Sequence, residues 1–369
     1  MFRKKIFSKF YKLIKIFIFS LLYKKIDKII KAKEVKEIVI KEIIFDSSIS
    51  YNFYKIPNGR IYSTTIHDTA FIKGKSLIKE PSFQYRYDKN DRIFNSSAEA
   101  NIVLNNGTPN FLKKIDGSVF SLLCGGAGKN NYWHWIFDVL PKIGILEKLN
   151  LEKQPDFFLL PSLSRNYQKE SLDSLGILSK KLLDGENFKH LTSNNILTVD
   201  HPNVFNNNAS ESITNMPMWI IDWLRKNFIN DNNTDTQFFK KIYIDRNKEK
   251  NNQHRKIINS EEVSELLKSF GYESITLSEY TFQDQVKIFK NADNIVGLHG
   301  AGFANIVFSK PGTRLLEIQS LTAGNACANL AKKCKLRYQN IIEKNISPIL
   351  KHQNSQLIVN LSNLKKKIQ

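Results

Sequence analysis

One stretch of the chain, residues 294–318, constrains the fold most strongly because it predicts five elements in a fixed order. These are a buried strand, a glycine loop, a helix, a turn and a second strand, at residues 295–296, 297–300, 301–308, 311–312 and 314–318. In such a unit the loop lies at the carboxyl end of a parallel strand, where α/β proteins bind their ligands. The amides that open the helix would face an anion, with His299 beside it.

The alternative interpretation of this stretch is a tight turn between a strand and a helix, with His299 as a surface or capping residue. The spacing excludes two well-known phosphate loops. Gly297, Gly300 and Gly302 do not form G-x-G-x-x-G, and no Gly-Lys followed by Ser or Thr comes after them. The stretch therefore predicts an anion site of another kind.

A second informative stretch, residues 124–143, contains a histidine and a carboxylate on one helix face. A strand over 118–123 leads into a glycine-rich loop and then into a helix with His134 and Asp138 four residues apart. A carboxylate one turn away fixes the tautomer of a histidine and raises its basicity, as a general base requires. The same pair is equally able to satisfy itself within a core.

The neighbours of this pair add two expectations. Trp133 and Trp135 flank the histidine, and aromatic rings beside a carboxylate suit a sugar-binding cleft, so we favour a functional role. Pro141 lacks the amide that would bond the carbonyl of Phe137, so the helix is expected to bend or end there.

The length of 369 residues suits two domains of ordinary size. We predict a basic amphipathic segment over 1–35, an α/β domain over 36–235 and a second α/β domain over 236–369. The polar, turn-rich stretch 230–236 is the predicted linker. After it the elements alternate as β-α-β-α-β-α-β, which is typical of a doubly wound, nucleotide-binding fold.

Two arginines belong to the same predicted crevice as His299. Arg246 closes the first strand of the second domain, and Arg255 follows a loop rich in Lys and Asn. Both would then face an anion together with the glycine loop. The alternative is that they are solvated loop charges.

The charge of the chain favours anionic partners. Lys and Arg number 55 against 35 Asp and Glu, a formal net charge of +20, which suits nucleotide diphosphates, phospholipid surfaces, nucleic acid or acidic glycans. Nucleic acid is disfavoured because no basic stripe interleaved with exposed aromatic residues is evident. The three cysteines have no metal-site spacing, so we expect reduced, structural thiols in a cytosolic protein.

The amino-terminal segment alternates lysines with apolar residues. Its longest apolar run, 16–23, is shorter than the roughly 20 residues that span a bilayer, and no signal-peptide pattern follows it. One interpretation is a basic amphipathic helix lying on an anionic membrane leaflet. The other is an ordinary helix docked on the protein body.

Three blocks of residues occur in a fixed order between about Gly125 and Ile318. They are Tyr132–Pro141, which contains His-Trp-x-x-Asp-x-Leu-Pro; Tyr243–Arg246 with Arg255 and Asn259–Glu262; and Gly297–Asn305 through Pro311 and Gly312 to Glu317. Together they resemble glycosyltransferase family 61, which includes bacterial capsular polysaccharide biosynthesis proteins and eukaryotic xylosyl- and N-acetylglucosaminyltransferases.

The resemblance implies a GT-B fold, an α/β arrangement of two Rossmann-like domains that face a central cleft. It implies inverting, metal-independent transfer from a nucleotide-sugar donor to a glycan or lipid-linked glycan acceptor, without a cofactor. The absence of an Asp-x-Asp motif after a strand of the second domain agrees with metal independence. The domain over 36–235 would then hold the acceptor and the domain over 236–369 the donor.

The resemblance also assigns roles to residues. Donor binding would fall to Arg246, Arg255, His299, Gly300, Ala301, Gly302 and Glu317. Of these, Glu317 would accept the ribose hydroxyls. Asp138 or His134 would be the base that deprotonates the acceptor hydroxyl.

The expected setting is the synthesis of a surface polysaccharide, capsule or lipopolysaccharide, in the cytoplasm. Contact with the inner face of the plasma membrane would be peripheral, through residues 1–35. The alternative is a catalytically inert scaffold of the same fold that binds the polysaccharide assembly machinery.

Overall fold

The structure of the protein is a computed structural model that describes residues 2–65, 67–87, 89, 93–124, 129–203, 216–230, 239–247, 255–321, 323–344 and 356–369. The chain forms a first unit of Met1–Gln168 with Ile177–Met216 and a second unit of Lys169–Gly176 with Pro217–Gln369. The fold is of the α/β class, as predicted. The GT-B arrangement and the boundaries at 35 and 235 stay predictions.

The strands are β1 (Lys28–Ile30), β2 (Val39–Ile44), β3 (Ser50–Pro57), β4 (Arg60–Thr65), β5 (Asp68–Lys73), β6 (Ser76–Ile78), β7 (Phe83–Tyr87), β8 (Ile93–Asn95), β9 (Lys113–Ser121), β10 (Phe157–Leu160), β11 (Leu182–Asp184), β12 (His190–Val199), β13 (Lys241–Ile244), β14 (Glu273–Ile275), β15 (Asn294–Leu298), β16 (Arg314–Ser320) and β17 (Arg337–Glu343). The α-helices are α1 (Phe2–Tyr23), α2 (Ile102–Asn106), α3 (Tyr132–His134), α4 (Pro141–Lys148), α5 (Asn166–Ser174), α6 (Met218–Phe228), α7 (Ser260–Ser269), α8 (Phe282–Asn291), α9 (Ala326–Lys333) and α10 (Leu361–Ile368).

The sheet of the first unit is mixed. Its strands follow the order β1-β6-β5-β4-β12-β9-β10-β11, with β3 also paired to β12 and β7 to β5. The strands β9, β10 and β11 run parallel and β12 joins them parallel to β9, whereas β3 and β4 pair with β12 antiparallel. Because β9 and β12 are parallel neighbours, the segments that follow them leave from the same edge of the sheet. The glycine loop at 125–128 lies outside the described residues, as does the predicted linker after Asn230.

The sheet of the second unit is parallel throughout, in the order β14-β13-β15-β16-β17. Within the unit this is the order 2-1-3-4-5 of doubly wound proteins, in which the ligand binds at the switch point between the first and third strands. Strands β15 and β16 are almost continuously buried, as expected of a sheet covered on both faces. The strand and helix order predicted from the sequence is therefore confirmed.

One predicted helix of this unit is of a different type. Residues Ala301–Phe308 form a 3₁₀-helix, in which the amide of Phe303 donates to the carbonyl of Gly300 at 3.0 Å. Side chains three residues apart eclipse one another in a 3₁₀-helix, so long runs are uncommon. The small residues Ala301 and Ala304 are three apart and reduce that crowding.

Helix α6 lies in the second unit and packs there on the segment after β15 and on α8. Arg225 donates from Nε to the carbonyl of Val307 at 2.6 Å and from Nη2 to that of Ser309 at 3.0 Å. The ring of Phe228 packs edge-on against Phe282, with 4.9 Å between the ring centres.

The carboxyl-terminal part of helix α1 packs on the rest of the first unit. Phe19 is 6% exposed and packs against Phe111, and the hydroxyl of Tyr23 accepts a hydrogen bond from the amide of Leu112 at 2.9 Å. The helix is docked, but its main apolar face is not. That face is 42–69% exposed and consists of Phe10, Leu13, Ile14, Phe17, Ile18 and Leu21. Among the described residues, no helix is long and apolar enough to cross a bilayer.

Candidate functional site

The switch point of the second unit brings together most of the residues predicted to bind an anion. Strands β13 and β15 are parallel neighbours, with Ile244 aligned with Gly297, so the residues that follow them share one edge of the sheet. Arg246 follows β13, and His299 follows β15. The residues predicted to share a crevice therefore lie at one edge of this sheet.

Two guanidinium groups converge on one backbone carbonyl at this edge. Nη1 of Arg246 donates to the carbonyl of His299 at 2.8 Å, and Nη1 of Arg255 approaches the same oxygen at 3.4 Å. Burial lowers the pKa of Arg255 to about 10, and the positive charge of Arg246 contributes to this shift. Two cations held this close are stabilised by a bound anion, which offsets their mutual repulsion.

Glycine is needed at position 300 because a side chain would collide with Arg246, and not because of the backbone conformation. The φ of Gly300, 164°, is extended backbone that any residue adopts. A Cβ atom at this position would lie 1.5 Å from Nη1 of Arg246. Any side chain at 300 must therefore displace the guanidinium from the His299 carbonyl.

The 3₁₀-helix begins directly after Gly300. Ala301 and Gly302 form its first turn and are half-buried, whereas residues 303–308 are buried. The amides of Ala301 and Gly302 lie at the amino end of this eight-residue helix, where anions are favoured.

The imidazole of His299 is held by a buried carboxylate. Nδ1 of His299 is hydrogen-bonded to Oε1 of Glu317, and the hydroxyl of Tyr338 donates to Oε2 of the same carboxylate at 2.6 Å. Glu317 is 0% exposed. In the structure Glu317 orients His299, and its role towards the ribose hydroxyls stays a prediction. With Nδ1 engaged, Nε2 is the nitrogen of His299 that remains for a ligand.

The same cluster has the donor atoms of a metal site. Ligand atoms of His299, Glu317 and Cys327 lie within 4.8 Å of one another. Their chemistry fits a metal ion poorly. Burial and the charge of Glu317 raise the pKa of the Cys327 thiol, so without an ion the thiol stays protonated. The positive charge of Arg255 also acts at this cluster and would repel a cation.

In the first unit, His134 and Asp138 make the contact that their spacing predicted. Nδ1 of His134 is 2.6 Å from Oδ2 of Asp138. The side chain of His134 is 36% exposed and that of Asp138 is 11% exposed. The carboxylate is therefore the buried partner, and the imidazole is the one that reaches the surface.

The backbone around this pair is a π-helix, Trp135–Val139, between α3 and α4. The amide of Leu140 donates to the carbonyl of Trp135 at 3.0 Å, a bond across five residues. Pro141 does not end the helix, which continues as α4. It marks the change from a π-helix to an α-helix. The carbonyl of Phe137, left without the Pro141 amide, accepts a hydrogen bond from Nδ2 of Asn203 at 3.1 Å.

Asn203 completes this arrangement and was not predicted. Its Nδ2 also donates to Oδ1 of Asp138 at 2.6 Å, so both oxygens of that carboxylate are engaged. Cys124 supports the same residue, because its thiol donates to the carbonyl of Asp138 at 3.0 Å. The polar residues at 200, 201 and 203, directly after the strand-like run Ile-Leu-Thr-Val at 196–199, were the one signal that could have identified Asn203.

The pair is electrostatically coupled. Burial lowers the pKa of His134, but the hydrogen bond and negative charge of Asp138 raise it by more, so it lies above its ordinary value. Burial raises the pKa of Asp138, but its hydrogen bond and charge interaction with His134 dominate, so that pKa lies below its ordinary value. The carboxylate stays ionised while the imidazole gains and loses a proton.

The two tryptophans beside His134 do not form a sugar platform, so that prediction was wrong. Trp135 is 0% exposed and Trp133 is 8% exposed, and the ring of Trp133 packs on Phe137 with 4.8 Å between the ring centres. Both side chains belong to the core, since Trp133 is the buried residue of α3 and every residue of the π-helix is buried. Their role is to hold the helix that carries the pair.

The comparisons with known proteins identify one family. The sequence model described as Glycosyltransferase 61 matches residues 132–316, half of the 369-residue chain. The match includes both His134 and Asp138 of the first unit and the arginines and glycine loop of the second. No curated protein matches the chain.

We predict that Asp138→Asn lowers the pKa of His134 to below its ordinary value. The carboxylate that raises this pKa is removed, whereas the burial that lowers it remains. The pKa is measured by NMR titration of the His134 ring, with His190 as an internal control. Burial lowers the pKa of His190 to about 4, and Asp138 is not among the causes of that shift. An unchanged pKa of His134 in the variant would contradict the coupling.

Proposed function

The chain belongs to glycosyltransferase family 61, and from this we propose that it transfers a sugar from a nucleotide-sugar donor to the growing glycan of a surface polysaccharide. The family supports glycosyltransferase activity. We further propose that the glycan is a capsule or lipopolysaccharide component, that the transfer inverts the anomeric configuration, and that no metal ion takes part. The observation that carries the proposal is the pair of arginines at the carbonyl of His299.

The second unit supplies the groups that a leaving nucleoside diphosphate requires. Its negative charge would be neutralised by Arg246 and Arg255, together with the amides of Ala301 and Gly302. His299 would contribute a hydrogen bond from Nε2, with Glu317 fixing its tautomer from the other side of the ring. These groups perform without a metal ion what a divalent cation does in other transferases. Their position at the switch point of a doubly wound sheet supports this assignment.

We predict that Arg246→Gln weakens the binding of the donor by about 10–100-fold, because a charge-assisted contact to phosphate is worth roughly 1.5–3 kcal/mol. Isothermal titration with UDP- and CMP-sugars measures this. The control is Arg314→Gln, the same change at an exposed arginine that begins β16 at the opposite edge of the sheet. Equal donor affinity in both variants would remove Arg246 from the donor site.

The first unit supplies the base that an inverting transfer requires. We place the base at Nε2 of His134, since Nδ1 is engaged by Asp138 and the imidazole is the more exposed of the two groups. It would take the proton of the acceptor hydroxyl as that oxygen attacks the anomeric carbon. Asp138 would hold the imidazole in the correct tautomer and stabilise the imidazolium that forms.

We predict that His134→Ala lowers kcat by about 10²–10⁴-fold, the usual contribution of a general base, with donor affinity unchanged. Asp138→Asn should lower kcat as well, since the amide no longer fixes the tautomer. The control is Asp173→Asn on the exposed face of α5, which should retain full activity. Full transferase activity in both His134→Ala and Asp138→Asn would exclude the pair from the chemistry.

The rival interpretation, an inert scaffold of the same fold, makes a different prediction for the donor titration. A scaffold should bind none of the nucleotide-sugars at the second unit. The His134–Asp138 pair, with an imidazole that reaches the surface and a raised histidine pKa, favours the enzyme, because a scaffold has no use for a poised base.

We also propose that the protein works in the cytoplasm and touches the inner face of the plasma membrane through α1. The apolar face of a docked helix is normally turned towards the protein, but here it is turned towards solvent. The segment 2–23 has six Lys and Arg and no acidic residue, which complements an anionic leaflet. Both features are typical of a helix that lies in the membrane interface.

We predict that the double change Leu13→Glu and Phe17→Glu reduces binding to vesicles that contain phosphatidylglycerol by at least about tenfold, because it places charges on the apolar face. Co-sedimentation measures binding, with phosphatidylcholine vesicles for comparison. The matched control is Ile342→Glu with Ile358→Glu, two exposed isoleucines of the second unit. Equal sedimentation of the two double variants would contradict a membrane role for α1.

A further inference from the structure

The first unit contains a cavity that none of the roles above uses. Its volume is about 320 Å³, at the lower end of the range of small-molecule pockets, roughly 300–1,000 Å³. Residues of β12 and of the segment after it, including Val199, Asp200 and Asn203, form one wall. Lys142 of α4 and Ser82 contribute to other walls.

The polar groups that line the cavity include hydrogen-bond donors, hydrogen-bond acceptors and charges of both signs. Lys142 is 3% exposed, and Nζ donates to the carbonyl of Leu123 at 3.1 Å and to Oγ1 of Thr198 at 3.3 Å. An ammonium has three hydrogens, so one remains for a ligand.

Asp200 contributes a carboxylate that already accepts hydrogen bonds from the amide and Nδ2 of Asn52 and from the hydroxyl of Tyr54, so of its roughly four acceptor sites one remains. Glu80 lines the cavity as well. Acidic acceptors beside a lysine suit a molecule with many hydroxyl groups and disfavour an anionic ligand.

Asn203 connects the cavity to the candidate base. Its Nδ2 is used twice, by Oδ1 of Asp138 and by the carbonyl of Phe137, which fixes the orientation of the amide. Its Oδ1 is buried and has no hydrogen-bond partner among the described residues. A buried acceptor without a partner costs free energy, so this oxygen calls for a donor such as a hydroxyl group.

We propose that this cavity binds one neutral sugar residue of the acceptor glycan, through Oδ1 of Asn203, Nζ of Lys142 and the carboxylate of Asp200. The aromatic side chains of Phe83 and Tyr85 also line the cavity and offer apolar surface to a sugar ring. A hydroxyl bound at Asn203 is one hydrogen-bonded residue away from the carboxylate that orients His134. The acceptor would thus be recognised by the same network that positions the base. This inference rests on the proposed function for the identity of the ligand as an acceptor.

The test is saturation-transfer NMR of the full chain with glucose, galactose, mannose, N-acetylglucosamine and xylose. We expect at least one sugar to bind and Val199→Phe to abolish the signal, because the larger ring fills the cavity without removing a hydrogen bond. The matched control is Val39→Phe, the same change at an exposed position of β2. Absence of any signal in the wild type, or an equal signal in Val199→Phe, would overturn the proposal.

A second variant keeps the test decisive if Val199→Phe does not fold. Lys142→Met retains the length of the side chain and removes one buried charge, while Asp200 keeps its hydrogen bonds from Asn52 and Tyr54. It should weaken sugar binding by about tenfold and raise the KM for the acceptor while leaving the KM for the donor unchanged. Unchanged sugar binding in this variant would exclude Lys142 and overturn the proposal.

Donor titration separates this inference from the proposed function. If nucleotide-sugars fail to bind while neutral sugars bind in a manner blocked by Val199→Phe, the cavity is a saccharide site and the transferase proposal fails. If nucleotide-sugars bind and are used while no neutral sugar occupies the cavity, the transferase proposal stands and the present inference fails.

Discussion

The absence of a side chain at Gly300 permits the contact on which the second unit's site depends. The guanidinium of Arg246 occupies the place where a Cβ would be and reaches the carbonyl at the end of β15. That contact joins the segments that follow two neighbouring strands of the sheet. It also brings the first of two positive charges to the edge where helix amides begin. The fold supplies the neighbouring strands, but the absence of a Cβ at Gly300 allows Arg246 to lie beside Arg255 at the carbonyl of His299.

In the first unit the comparable constraint is the burial of a carboxylate beneath an exposed imidazole. Asp138 stays charged in the interior because its partners satisfy both oxygens, His134 on one side and Asn203 on the other. The π-helix and Pro141 leave the carbonyl of Phe137 without a helical partner. Nδ2 of Asn203 donates to this carbonyl and also to Asp138. The orientation of the imidazole is thus set by the buried groups that hold Asp138.

The sequence predicted those features that depend on residues close together in the chain. The spacing of His134 and Asp138 predicted their contact, and the glycine loop after a buried strand predicted the position of His299. Features that depend on distant residues were missed or misassigned. Glu317 accepts a hydrogen bond from Tyr338 of the next strand, Trp133 and Trp135 are covered by the core, and Asn203 arrives from 65 residues away. No local pattern specifies which side chains a folded sheet will place over a given carboxylate.

The π-helix also fixes the rotation of everything that follows it. An α-helix advances by about 100° per residue, so the one extra residue held in a π turn sets the direction in which α4 presents its side chains. Lys142 lies three residues beyond the segment and points its amine at Leu123 and Thr198 only in this phase. If the same residues wound as a regular α-helix, the extra residue would rotate Lys142 by about 100°, away from those two partners. The wider turn therefore absorbs one residue and keeps the side chains of α4 in the direction that these contacts require.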